Sequence, residues 1–218
     1  MGREALLEIC ELFYSIQGES SFAGFPCFFI RVAGCNLRCT YCDTHYAYEG
    51  KQKSYSISQI LAELQKYPGV LVEITGGEPL LQESVYPLFE QLLTTERSVL
   101  LETNGSLSLE SVPEDVVKIM DMKCPDSGMH EKMNFDNFRF MAPKDEIKFV
   151  ISSREDYNWA TQLVSSYDLH KKTTVTFSPV IGSLPPEKLA AWILEDRLPV
   201  RLRLQLHTII WPGKIKGY

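Results

Sequence analysis

The chain has 218 residues, of which 44% are hydrophobic and 23% charged, with a formal net charge of -6. That length predicts one domain, residues 1–218, with a sizeable core. No apolar run approaches the roughly 20 residues of a membrane span, and an acidic chain has no general electrostatic reason to bind a nucleic-acid backbone. The start, Met1 to Glu8, lacks the uninterrupted apolar segment of a secretory signal, so a soluble, cytoplasmic protein is the expectation. Six cysteines are too few for a disulfide scaffold, and three of them fall between positions 35 and 42, which is the spacing of ligands rather than of cross-links.

In chain order, β-branched and aliphatic runs predict strands over Leu7–Phe13, Phe28–Val32, Val70–Ile74, Val99–Glu102, Val116–Met120, Ile147–Ile151, Thr174–Phe177 and Arg201–Leu206. Several are continuously apolar, as strands buried on both faces tend to be. Helical spacing predicts helices over Ser56–Tyr67, Val85–Thr94, Tyr157–Ser166 and Pro186–Glu195. In the first of these Ser56 and Gln59 are placed as a capping box. Strands alternating with helices imply an α/β fold with a mainly parallel sheet and crossover helices. A closed eight-unit barrel typically takes about 250 residues, so an open, partial TIM-like barrel is expected. The stretch Pro125–Lys144 has no steady period and is expected to be an irregular insertion placed to cover the active site.

Cys35, Cys39 and Cys42 follow a strand, with Gly34 permitting a sharp turn before them. Three thiolates on a four-iron cluster leave one iron open to a ligand. A structural zinc site completed by His45 is the alternative on spacing alone. Downstream, Val70–Ile74 runs into Thr75-Gly76-Gly77-Glu78-Pro79, a turn at the carboxyl end of a strand, where parallel α/β sheets bind ligands.

The pairing of Cys-x3-Cys-x2-Cys with Gly-Gly-Glu-Pro resembles the radical S-adenosylmethionine superfamily. The resemblance implies a [4Fe-4S] cluster on Cys35, Cys39 and Cys42, S-adenosylmethionine chelating the fourth iron, and Gly76, Gly77 and Glu78 holding its amino group. Reductive cleavage would supply the radical, the hard chemistry belonging to the cofactor. Further cofactor contacts are expected from Tyr41, Asp43, Asn104, Asp121, Met122, Lys123, Ser178, Pro179 and Val180.

Phe13 to Glu19, Gly24-Phe25-Pro26, Arg31 and Cys42-Asp43-Thr44 narrow the resemblance to the 7-carboxy-7-deazaguanine synthases, over nearly the whole chain. These are lyases of queuosine-type 7-deazapurine biosynthesis. They contract the ring of 6-carboxy-5,6,7,8-tetrahydropterin with loss of ammonia and require Mg²⁺. For the pterin, Ile16, Gln17, Gly18 and Glu19 would meet its amide edge, Arg31 its carboxylate as a bidentate pair, and Thr75 and His207 would be further contacts. Thr44 matches the Mg²⁺ ligand. No protein nucleophile is required. An electron donor such as flavodoxin or ferredoxin, and a homodimer, are also implied. Ser20 and Tyr41 depart from residues common in the family, Gly and Trp. A glycyl-radical activating enzyme and a non-catalytic zinc module are the rival readings, and Cys10, Cys27 and Cys124 are read as packing residues.

Overall fold

A computed structural model describes residues 5–214, 216 and 217. The strands are β1 (Leu6–Ile16), β2 (Pro26–Val32), β3 (Lys53–Ser56), β4 (Leu71–Gly76), β5 (Val99–Thr103), β6 (Val117–Met122), β7 (Glu146–Ile151), β8 (Thr174–Pro179) and β9 (Arg201–Leu202). They form one open sheet in the order β3-β1-β2-β4-β5-β6-β7-β8-β9. From β2 to β9 every pairing is parallel, whereas β1 runs antiparallel to both β2 and β3. The helices are α1 (Tyr46–Glu49), α2 (Ile57–Leu64), α3 (Val85–Leu93), α4 (Arg154–Ser166), α5 (Leu169–Lys172), α6 (Pro186–Glu195) and α7 (Leu206–Ile210). The expected open α/β architecture is the one observed.

Alternation along the strands separates two faces. Ile30 and Val32 of β2, Val72 and Ile74 of β4, Leu101 of β5, Met120 and Met122 of β6, Phe149 of β7 and Phe177 of β8 share one hydrophobic core. Ile60 and Leu64 of α2, Phe89 of α3, Ala160 of α4 and Leu189 of α6 complete it. The opposite face carries Phe29, Arg31, Glu73, Thr75, Glu102, Asp121 and Lys148 and lines a large cavity. Register brings these into rows, with Phe29 beside Glu73, Arg31 beside Thr75, and Asp121 beside Lys148. The central strands are buried on both faces, as expected, with apolar side chains toward the helices and charged ones among those toward the cavity.

At α2 the Ser56 hydroxyl accepts from the Gln59 N–H and the Gln59 carboxamide accepts from the Ser56 N–H, 2.9 Å, completing the capping box. Two expectations need correction. The strand expected over Arg201–Leu206 stops after Leu202, because the Leu206 N–H turns to the Gly18 carbonyl, 2.8 Å, and the chain enters α7. The segment 125–144 does not cover the cavity, and none of its residues lines it. It forms three 3₁₀ turns, with Met133, Phe138 and Met141 packed into the core. Asn137, fully buried, donates to the Gly105 and Leu107 carbonyls and accepts from the Leu109 N–H. Its contribution to the site is indirect, since Thr40 of the cysteine loop donates to the Ser127 and Asp126 carbonyls, 3.1 and 2.6 Å.

Candidate active site

The cysteine loop leaves the end of β2 and is clamped by backbone bonds on both sides. Gly34 N–H donates to the Ala47 carbonyl, 2.8 Å, and the Gly34 carbonyl accepts from the Glu78 N–H, 2.8 Å. The turn after β4 lies against this loop so closely that a Cβ on Gly77 would stand 1.8 Å from the Gly34 oxygen. Gly76 has φ +129°, and a Cβ there would stand 2.3 Å from the Val32 oxygen. These glycines thus seat the cysteine loop as well as opening a cavity wall.

Cys35, Cys39 and Cys42 all line the cavity, which has a volume of about 630 Å³. Burial pushes the Cys39 thiol up to about 11 and raises that of Cys42. Both would need a metal to ionise at neutral pH, and a coordinating metal deprotonates a thiol outright. The Cys35 sulfur accepts from the Leu37 N–H at 3.4 Å and from the Asn104 amide at 3.9 Å. Among the described residues no three His, Cys, Asp or Glu side chains converge on one metal ion. His45 is turned to the Tyr48 hydroxyl, 2.5 Å from its Nδ1. Three cysteines of one loop facing one cavity are the thiolate donors that an iron–sulfur cluster takes.

Most residues singled out from the sequence surround this cavity: Ile16, Gln17, Gly18, Glu19, Arg31, Tyr41, Asp43, Thr44, Thr75, Gly76, Gly77, Asn104, Asp121, Lys123, Pro179, Val180 and His207. Three do not. Glu78 is fully buried and braces the turn, accepting from the Leu80 N–H, the Thr103 hydroxyl and the Asn104 N–H, so its carboxylate is not presented to a ligand. Met122 falls on the helix face of β6, as the two-residue period dictates, and Ser178 is buried within β8.

Other side chains line the cavity but are already engaged. The Gln17 amide donates to Glu73 and its carbonyl accepts from the Glu19 N–H, 2.8 Å, so this side chain shapes the 17–19 turn rather than offering itself to a pterin. The Asn104 side chain is tied to Asn36 and Ser106. Arg31 pairs through Nε with Glu11, 2.8 Å, beneath the Tyr46 hydroxyl, which bonds the same Glu11 oxygen at 2.7 Å. That contact uses one nitrogen, leaving the terminal fork as the edge that fits a second carboxylate. His207 packs onto Gly18, where a Cβ would stand 2.5 Å from its Nδ1. Thr44 donates to Asp43, 2.8 Å, which directs its oxygen lone pairs elsewhere and suits a hard cation.

Three groups at the heart of the cavity were not singled out from the sequence: Glu73, Glu102 and Lys148. The Lys148 ammonium meets Glu19 at 2.6 Å, Glu102 at 2.7 Å and Asp121 at 3.3 Å, and Asp121 also meets Lys123 at 2.9 Å. Burial would raise the Glu102 carboxyl, but Lys148, seconded by the Thr75 hydroxyl at 2.8 Å, brings it down to about 2. Glu73 goes the other way, because burial and then the neighbouring Glu102 and Glu19 charges lift it well above the usual carboxylate range. The signal for all three was charge at a cavity-facing position of an otherwise apolar strand.

Residues 29–127 match the family model of the radical SAM superfamily. A 7-carboxy-7-deazaguanine synthase from Koribacter versatilis is 46% identical, aligning over 97% of this chain and all of its own. One from Chlorobaculum tepidum is 44% identical over the full length of both. In solved structures, the fold is similar to QueE from Escherichia coli, with a TM-score of 0.77 at 23% identity over 93% of this chain and 95% of that one.

Proposed function

Because the chain belongs to the 7-carboxy-7-deazaguanine synthases, radical S-adenosylmethionine enzymes carrying a [4Fe-4S] cluster, we propose that it converts 6-carboxy-5,6,7,8-tetrahydropterin to 7-carboxy-7-deazaguanine. One observation carries this most directly: the cysteine loop and a set of polar groups suited to a carboxylated pterin face each other across a single cavity of about 630 Å³. The net change is loss of one ammonia with no net oxidation, so the protein must position and protect rather than supply redox equivalents.

When bound, the cluster and cofactor would supply a radical able to remove a hydrogen atom from carbon and later give it back. The chain's own residues do the rest. Arg31 takes the substrate carboxylate through its terminal nitrogens, a planar fork that Lys cannot reproduce. Glu19 and Glu102, both paired with Lys148, accept hydrogen bonds from the amino and amide N–H groups of the pterin. The backbone of Ile16 and Gly18, together with Thr75 and His207, bounds the ring. Thr44 would hold a Mg²⁺ that orients the substrate, its hydroxyl donating a hydrogen bond to Asp43 and leaving its lone pairs to the ion. Asp121 and Lys123 hold the nucleoside end of the cofactor. The Asp121 Oδ1 atom, buried and without a donor among the described residues, is the acceptor that a ribose hydroxyl would satisfy. Tyr41, Gly76, Gly77, Pro179 and Val180 complete the cofactor wall.

The same reading includes a one-electron donor of flavodoxin or ferredoxin type and a homodimer. The exposed Leu202, Leu204, Ile209 and Ile210 beside edge strand β9 support the latter. Among the described residues no helix is long and apolar enough to cross a membrane. Six free cysteines suit the reducing cytoplasm. Anaerobic incubation of the iron-loaded protein with the pterin, S-adenosylmethionine, Mg²⁺ and a reductant should yield 7-carboxy-7-deazaguanine by mass spectrometry. Cleavage of S-adenosylmethionine without that product would overturn the substrate assignment.

A further inference from the structure

Two buried lysines lie on neighbouring strands of the sheet, and they do different things. Lys118 of β6 pairs with Asp145 at 3.1 Å, whose two oxygens also accept from the Lys118 and Ala142 N–H groups, each 2.8 Å. That is a staple with every group satisfied. Lys148 of β7, with 5% of its side chain exposed, meets only side-chain carboxylates among the described residues, and these three acceptors come from three other parts of the chain: the 17–19 turn, β5 and β6.

Each arm leads to a different part of the cavity. Glu19 also accepts from Gln205, 2.8 Å, beside the turn that packs His207 on Gly18. Glu102 accepts from Thr75. Asp121 shares its Oδ2 with Lys123, and its Oδ1 is buried without a donor among the described residues. The cluster sets three carboxylates against two ammonium groups, Lys148 and Lys123. A purely structural network would be neutral and fully paired. This one keeps acceptor capacity at both ends, next to the cavity.

We propose that Lys148 is a positioning residue that couples the two halves of the cavity, holding Glu19 and Glu102 for the pterin and Asp121 for S-adenosylmethionine around one ammonium, so that occupying either half orders the other. The inference rests on the pterin assignment. It predicts linkage: saturation with S-adenosylmethionine tightens pterin binding, and by thermodynamic necessity the pterin tightens the cofactor by the same factor.

The test is equilibrium binding of 6-carboxytetrahydropterin to anaerobic, cluster-loaded protein without reductant, so that no turnover occurs, with and without saturating S-adenosylmethionine. Wild-type protein should show a factor of about five or more. Lys148→Met should bring it close to one, and Lys148→Arg, which keeps the charge, should restore part of it. Glu19, Glu73, Glu102, Asp121, Lys123 and Arg31 face this ammonium or its partners. Removing it should therefore also shift the acid-side loss of pterin binding to higher pH, which mere loss of packing would not do. If Lys148→Met fails to accumulate folded, Glu19→Gln and Asp121→Asn each remove one arm and should each lower the coupling factor. An unchanged factor in these variants, or none in the wild type, overturns the inference. Failure of the wild-type protein to bind the pterin at all would instead overturn the substrate assignment.

Discussion

At the scale of single residues, the site was legible wherever a residue type has few other uses. Three cysteines at ligand spacing and the Gly-Gly-Glu-Pro turn mark the site by residue type and spacing alone, and all three thiols line the cavity. Replacement of any one, for example Cys39→Ala, should leave reconstituted protein with little bound iron and no brown colour, read by iron analysis and absorbance. Roles were less legible than positions. Gln17 and Glu78 have polar groups that the fold itself consumes, and only the hydrogen-bond partners reveal it. Arg31→Lys should raise the KM for the pterin by about tenfold to a hundredfold, the cost of a charge-assisted bond of ~1.5–3 kcal/mol, with S-adenosylmethionine binding unchanged. Equal KM values in the two proteins would remove Arg31 from the carboxylate.

At the scale of elements, periodicity located strands and helices well, because buried stripes at α2, α3, α4 and α6 face a continuous apolar sheet surface. It failed at the end of the chain, where Leu206 is drawn to Gly18 by a contact spanning most of the sequence, and no local pattern encodes such a contact. The apolar runs are buried on both faces, as expected, yet the face turned to the cavity also carries charge. Glu73, Glu102 and Lys148 each interrupt an apolar run at a cavity-facing position, and that interruption was the available sign of a binding face. Two substitutions test the element-level account. Ser56→Ala removes a hydroxyl that caps α2 and should cost about 1 kcal/mol, lowering Tm by roughly 2–4 °C. Gly77→Ala forces the β4 turn away from the Gly34 carbonyl and should unseat the cysteine loop, so that iron incorporation falls while the far-UV circular dichroism of the sheet persists.

At the scale of the whole molecule, the charged face opposes ordinary folding logic, since it buries carboxylates that the core alone would reject. Stability and pH are therefore linked through two of them with opposite sign. The Glu102 carboxyl lies at about 2 when folded, so its contribution is present above the unfolded value of about 4.3 and is lost as pH falls toward 2. Glu73 is raised when folded, so the stability tied to its proton is complete below about 4.3 and declines as pH rises toward its folded value. Glu73→Gln keeps an oxygen for the Gln17 amide and removes that decline. The variant should match wild type in denaturant unfolding near pH 4 and exceed it at pH 8. Equal stability at pH 8 would place the Glu73 proton wrongly.

A cavity that brings a cluster-bound S-adenosylmethionine and a carboxylated pterin together would return the cofactor after each turnover. The ratio of 7-carboxy-7-deazaguanine formed to S-adenosylmethionine consumed, measured in one anaerobic reaction with limiting cofactor, tests it most directly. Many equivalents of product per cofactor lost, with one ammonia released per product, is the predicted result. Consumption of S-adenosylmethionine with no 7-deazapurine formed would contradict it.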